Sequence, residues 1–341
     1  MRTRYSEDQL AVDEMFAGFF ANESPTTRIR AAAALGHDPD LWSKLAETGA
    51  PGMALPATVG GGDASLLDLA VAVRQQGRHI AASPLVEHAV AGRLLADLRA
   101  EDELMGDIVS GHRIATLTLR PVGDGRARLV PAGAVADVVV GIEGDNLLVS
   151  SEPAPGRARP NTADLPLADR DMTGATPIAT GSPAEAAWNR ARAEWKALTA
   201  VAYTGLAARV LDMTVDYAME RHQFDVPIGS FQAVQHGLAD AATRIEGAIL
   251  LANRATWALT TAAEGGERLA SMALLFAAET ARHAADRALQ YHGGYGFAEE
   301  SDVQLYYRRA AGWILQLGDP ADEYAWLSDQ ELGPRTGRGA A

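Results

Sequence analysis

The sequence has no cysteine. Disulfides, thiolate nucleophiles and Cys-ligated metals are therefore excluded. It has no excess of basic residues either: 30 Lys and Arg face 44 Asp and Glu, for a net charge of -14. That balance argues against a nucleic-acid binder, which usually carries a basic footprint. A phosphate ligand remains open, because a few placed arginines suffice to hold one. No run of about 18 uninterrupted apolar residues occurs, so no membrane span is expected. Met1 to Asp8 carry charges and no apolar h-region, so no secretory signal is expected and a cytoplasmic location is the default. Aromatic residues are sparse, at 6%.

Apolar residues nonetheless reach 48%, and alanine is abundant. Alanine has the best intrinsic helix propensity, so the bias favours packed helices. Leu10, Val12, Met15, Phe16, Phe19 and Phe20 recur at helical spacing. Trp42, Leu45 and Ala46 resume the pattern after Pro39. Ser65 is placed to cap a helix running through Leu66, Leu69, Val71 and Val73. Residues 1 to 110 thus read as a helical domain.

From 111 to 182 the pattern shifts to short strands. Ile114 to Leu119, Val135 to Gly141 and Leu147 to Ser151 carry it. Pro153 to Pro166 reads as a loop. Helices then return over 183 to 332, at Trp188–Arg221, Phe231–Thr261, Leu269–Leu289 and Val303–Leu317, the pattern of a four-helix bundle. The tail 333–341 is expected to be disordered. The fold class is mainly α with a small β domain.

Two segments stand out. Arg221-His222-Gln223-Phe224-Asp225-Val226-Pro227-Ile228-Gly229-Ser230-Phe231-Gln232 joins two helices. An arginine at a helix end can grip a phosphate bidentately. It is also an ordinary last-turn cation. Gln290-Tyr291-His292-Gly293-Gly294-Tyr295-Gly296-Phe297 ends a helix in glycines, which let a ligand approach the backbone. It is equally readable as a glycine C-cap. It is no Rossmann fingerprint, because it follows a helix rather than a strand. His292 reads more readily as structural than as catalytic. The eight histidines show no metal-ligand spacing, so no metal is expected. No Gly-x-Ser-x-Gly elbow or Walker loop occurs.

Together these segments resemble the acyl-CoA dehydrogenase family, through the runs Arg-x-Gln-Phe-x-x-Pro-Ile-x-x-Phe-Gln and Gln-x-x-Gly-Gly-x-Gly. Leu55-Pro56 with Gly60-Gly61-Gly62, and Gln75-Gln76-Gly77-Arg78, look like two further stretches of that family. The resemblance implies an N-terminal helical domain, a middle β domain and a C-terminal four-helix bundle. It implies FAD as cofactor and α,β-desaturation of an acyl-CoA substrate, with an electron-transfer flavoprotein as acceptor. It also implies that Arg221, Gln223, Phe224, Ile228, Phe231, Gln290, Gly293 and Gly294 hold the adenosine diphosphate part of a flavin belonging to a neighbouring subunit. Asp225 stands where the family has glycine.

Other parts depart from the family. The usual catalytic glutamate lies 27 residues beyond the motif glutamine, and counting on from Gln290 reaches Leu317. The alternative location of the base, on the first bundle helix, falls on Trp195, beside Glu194. The ring-binding stretch Thr-Glu-Pro-x-x-Gly-Ser is replaced by Leu117-Thr118-Leu119-Arg120-Pro121. The chain therefore resembles the base-lacking subunit of actinobacterial α2β2 steroid-CoA dehydrogenases. A related partner subunit would supply the base. A self-sufficient homomer using Glu194, a flavin-free scaffold and an oxidase of a non-CoA substrate are the alternatives.

Overall fold

A computed structural model describes residues 5–98 and 102–333. The expected disordered tail lies, beyond Gly333, outside the described residues. Six helices come first: α1 (Glu7–Glu23), α2 (Thr26–Ala32), α3 (Pro39–Glu47), α4 (Leu66–Arg78), α5 (Leu85–Asp97) and α6 (Asp102–Ser110). Their starts follow local chemistry. Ser6 and Gln9 form a reciprocal capping box at α1, and Ser65 and Asp68 form one at α4. Asp38 caps α3 by accepting the Leu41 N–H at 3.1 Å, and Pro39 opens that helix.

Strands follow: β1 (Ala115–Leu117), β2 (Arg126–Val130), β3 (Val138–Glu143), β4 (Asn146–Ser150), β5 (Ala168–Asp171) and β6 (Thr176–Thr180). One sheet has the order β1-β3-β4-β6, with β1 parallel to β3 and the other pairs antiparallel; β2 and β5 form a separate antiparallel pair. Side chains alternate across a strand. Val138 and Val140 of β3 therefore enter the main core, while Val139 joins Val122, Ala127, Val130, Leu148 and Met172 in a small second core.

The chain then enters α7 (Ser182–Glu220), the hairpin β7 (His222–Gln223) and β8 (Val226–Pro227), and helices α8 (Gln232–Thr260), α9 (Gly266–His292), α10 (Val303–Gly312) and α11 (Pro320–Leu332). α7 is the axis of the molecule and packs on α4, α8 and α9. At its crossing with α4, a Cβ on Gly77 would overlap the Ala202 carbonyl and one on Gly205 the Arg74 carbonyl. Glycine is thus required at both positions for the helices to touch. One expected element differs. The helix read over Val303–Leu317 stops at Gly312 and tightens into a 3-10 turn over Trp313–Gln316. The sequence pattern marks neither α11 nor strands β2, β5 and β6.

Candidate functional site

The two motif segments meet at one end of the bundle. Arg221 is the C-cap of α7, and the hairpin folds the following residues back beside it. An open groove of about 680 Å³ is lined by Arg221, Gln223, Ile228, Gly293 and Gly294, with Tyr217, Tyr291, His292 and Tyr295. Gln290 lines an adjoining groove of about 370 Å³ that shares Gly293 and Gly294. Phe224 and Phe231 line neither groove. They pair edge to face at 6.2 Å on the outside of the hairpin, where Phe224 is 88% exposed.

The glycine turn shows why it needs glycine. Gly293 has φ 62 and ψ -145, a region essentially closed to other residues. Nothing lies within 4 Å of where a Cβ would sit at Gly293 or Gly294, so a ligand can lie directly on that backbone. His292 fixes the turn from beneath. Its ring stacks on Tyr217 at 4.1 Å, and Nδ1 lies 2.8 Å from the Ala288 carbonyl. A carbonyl only accepts, so Nδ1 carries the hydrogen. Burial holds the His292 pKa below its ordinary value, which keeps the ring neutral at neutral pH.

Leu317 has different surroundings. It is 8% exposed and belongs to the main core. The pocket of about 370 Å³ beside it is lined by charged groups, among them Arg192, Lys196 and Glu323. Lys196 and Glu323 form a buried ion pair. The Lys196 ammonium also donates to the Ser271 hydroxyl at 3.0 Å and lies 5.2 Å from the Trp326 ring centre, while Ser271 donates to Glu323. Arg192 stacks over Trp188 at 4.6 Å. Lys196 and Glu323 thus satisfy one another, while Glu267, Asp319 and Asp322 also line the pocket; the residue at the base position itself is an alkyl side chain.

The alternative base position holds an indole, and Glu194 beside it lines an open groove of about 1120 Å³ together with Arg93. Trp195 is fully buried, and its N–H donates to the Glu87 carboxylate at 3.1 Å; burial pushes that carboxyl pKa up. Neighbouring Glu194 is gripped through both oxygens by Arg93, at 2.9 and 3.1 Å, and Arg93 donates onward to the Ala54 carbonyl at 2.8 Å. In the β unit, Thr118 turns inward and its carbonyl accepts the Trp188 N–H at 2.9 Å. Among the described residues no cluster of His, Asp and Glu could hold a metal ion, and no helix is long and apolar enough to cross a membrane.

Comparison with known proteins bears directly on these elements. The family model "Acyl-CoA dehydrogenase, N-terminal domain" matches residues 6–99, and "Acyl-CoA dehydrogenase, C-terminal domain" matches 174–314. The acyl-CoA dehydrogenase IpdE2 of Mycobacterium tuberculosis is 31% identical over 324 residues, covering 93% of this chain and 95% of that protein. The chain belongs to the acyl-CoA dehydrogenase family. IpdE2 of Mycolicibacterium smegmatis is 30% identical over 326 residues, 93% of this chain and 97% of that one. A solved steroid acyl-CoA dehydrogenase, the Tcur3481-Tcur3483 G363A variant, aligns with a TM-score of 0.83 at 26% identity, over 95% of this chain and 97% of that chain. The ChsE4-ChsE5 complex from Mycobacterium tuberculosis shares the fold, with a TM-score of 0.82 at 24% identity over 98% and 100%.

Within this acyl-CoA dehydrogenase fold, the groove adds Tyr217, Tyr291 and Tyr295 to the residues expected from sequence. Tyr217 stands four residues, about one helical turn, before Arg221. That spacing was the signal available for finding it. The Lys196–Ser271–Glu323 cluster had no such signal, because its members come from three distant helices.

Proposed function

We propose that this chain is the dinucleotide-holding subunit of a heteromeric, FAD-dependent acyl-CoA dehydrogenase. It offers Arg221, Gln223, Phe224, Ile228, Phe231, Gln290, Gly293 and Gly294 to the adenosine diphosphate part of a flavin shared with a related subunit. That partner holds the flavin ring and supplies the catalytic glutamate, in an α2β2 assembly with two flavins. The observation carrying this reading is the buried Leu317 at the base position, where an alkyl side chain stands beside the Lys196–Glu323 ion pair.

FAD supplies hydride acceptance once the α-proton of the CoA thioester has been removed. This chain's own part is binding and orientation. Arg221 can grip a phosphate in the bidentate geometry that lysine cannot reproduce. Gly293 and Gly294 leave room for a pyrophosphate to lie against the backbone. The exposed Phe224 and Phe231 offer apolar faces to the ligand or to the partner. No proton is taken at Leu317, since an alkyl side chain cannot accept one.

A steroid-derived CoA thioester is the proposed substrate class, supported by the likeness to the steroid enzyme at 26% identity. An electron-transfer flavoprotein is the proposed acceptor. The reading with Glu194 as base receives less support, because Arg93 occupies both carboxylate oxygens. The deciding experiment expresses the chain alone and together with a related subunit, then measures flavin per chain and acyl-CoA oxidation. Flavin and turnover are expected only from the pair. Both from this chain alone would overturn the proposal.

A further inference from the structure

The glycine turn is pinned from two sides, and only one of them belongs to the bundle. On the bundle side His292 is anchored to Ala288 and stacked on Tyr217. Beyond the turn the chain is exposed at Phe297, Glu299 and Glu300 before reaching buried Ser301. There a residue from the far end of the sequence takes hold. Arg30, on α2, donates to the carbonyls of Glu299 at 2.6 Å, Glu300 at 3.3 Å and Ser301 at 3.1 Å. It also donates to the Asp302 carboxylate at 2.9 Å. The other oxygen of that carboxylate accepts the Thr26 hydroxyl, from the first residue of α2, at 2.9 Å.

Three successive carbonyls and a carboxylate crowded together would repel one another without a cation among them. A guanidinium suits the task, because its donors are spread in a rigid plane and can reach several acceptors at once. A lysine ammonium is a point charge and cannot span the same set. The segment fixed in this way lies between the turn and Val303, the start of α10.

We infer that Arg30 is a positioning residue for the dinucleotide surface: it locks residues 299–302 so that Gly293 and Gly294 are held ready for the ligand. The N-terminal helical unit thereby sets the flavin affinity of a half-site to which it contributes no contact. This inference rests on the proposed half-site and deepens it.

The test uses the co-expressed complex, stripped of flavin and titrated with FAD by fluorescence, with amide hydrogen exchange read over 293–302. Arg30→Met is expected to weaken FAD binding about tenfold and to speed exchange in that segment, while the complex still assembles. Arg30→Lys is expected to recover less than half of that loss on a logarithmic scale. Asp302→Asn, a milder change that keeps the shape, is expected to weaken binding about threefold and serves if Arg30→Met does not assemble. Arg221→Ala, run beside them, tests the half-site itself. If Arg221→Ala weakens FAD binding while the Arg30 and Asp302 variants bind normally, the positioning role is wrong and the half-site stands. If Arg221→Ala has no effect, the half-site reading itself is wrong. Full recovery by Arg30→Lys would also overturn the inference, since bare charge would then suffice.

Discussion

The groove at the end of the bundle and the pocket beside Leu317 are both lined with charged and polar side chains, yet they use them in opposite ways. In the groove Arg221 and Gln223 stand exposed, and the two glycines leave a bare backbone. In the pocket Lys196 and Glu323 are buried against each other, with Ser271 completing the set. A polar group meant for a ligand has to be left accessible by its own protein. A buried group already paired is spent on structure, and desolvation of both ions makes its net contribution small. One fold thus carries a surface whose polar groups are left accessible and a pocket whose buried ion pair is made within the protein.

The largest effect expected from breaking this comparison is at Glu323. Glu323→Ala leaves the Lys196 ammonium buried without its partner, at a cost of about 3–5 kcal/mol in urea unfolding. Replacing both, as Lys196→Met with Glu323→Leu, should come close to the parent stability. If the single variant lost flavin affinity in the assembled complex while remaining stable, the pocket would be a ligand site after all. At the groove the pattern should invert. Arg221→Ala should weaken FAD binding in the complex by roughly 30- to 100-fold, the loss of about 2–3 kcal/mol of charge-assisted hydrogen bonding. Stability of the flavin-free complex should change by less than about 0.5 kcal/mol, as for other exposed positions.

The two regions also differed in how far the sequence revealed them. The groove is built largely from two contiguous runs, so its residues were readable together before any fold was known. The pocket's ion pair joins positions 127 residues apart, and nothing local marks Lys196 as buried. The same distinction governs the fold. α8 was expected over Phe231–Thr261 and occupies Gln232–Thr260, since its apolar period is long and regular. β5 carries no apolar alternation because its inward residues are Ala168 and Arg170, whose guanidinium reaches the Gly133 and Ala136 carbonyls. β2 was missed because its register shifts between Ala127 and Val130 and Leu129 takes a positive φ of 48°. α11 buries chiefly Glu323, so it shows no apolar stripe.

Acid sharpens the comparison by acting on the frame that holds both regions. His88 is fully buried, accepting the Ala115 N–H on Nδ1 at 3.1 Å while Nε2 meets the Ile108 carbonyl at 2.9 Å. A second ring proton would point at the Ala115 N–H, and burial lowers the His88 pKa to about 4 from an ordinary 6.5. As pH falls below 6.5 the unfolded chain therefore binds a proton that the folded chain refuses, and stability declines until about pH 4. Between pH 7 and pH 5 the loss from this residue is about 2 kcal/mol. Urea unfolding of the parent and of His88→Gln at the two pH values measures it: the variant should lose about 2 kcal/mol less, the remaining decline belonging to His37 and His79, whose burial also lowers their pKa to about 4. An equal loss in parent and variant would mean that the His88 ring is not held neutral.

The smallest expected effect lies in the hairpin that presents the groove. Gln223 pairs with Val226, so Phe224 and Asp225 form a two-residue loop, and both have positive φ, 54° and 64°. That is the backbone of a type I′ turn, for which asparagine and glycine are the favoured residues. Asp225 tolerates the left-handed region better than most side chains, but still at a cost of about 1 kcal/mol. Asp225→Gly removes that strain and also frees the unfolded chain, so the two effects largely offset and a gain of about 0.3–0.5 kcal/mol is expected. The same change removes a negative charge from the tip of the hairpin that follows Arg221, which should tighten FAD binding by about twofold at low salt and less at high salt. Asp225→Val is the opposing control. A β-branched side chain is a poor fit at positive φ, so it should distort the hairpin and weaken FAD binding several-fold while leaving the Lys196–Glu323 pocket and the unfolding midpoint nearly unchanged. If Asp225→Val bound FAD as the parent does, the hairpin would not be part of the ligand surface, and the contrast between the accessible groove and the internally paired pocket would rest on the glycine turn alone.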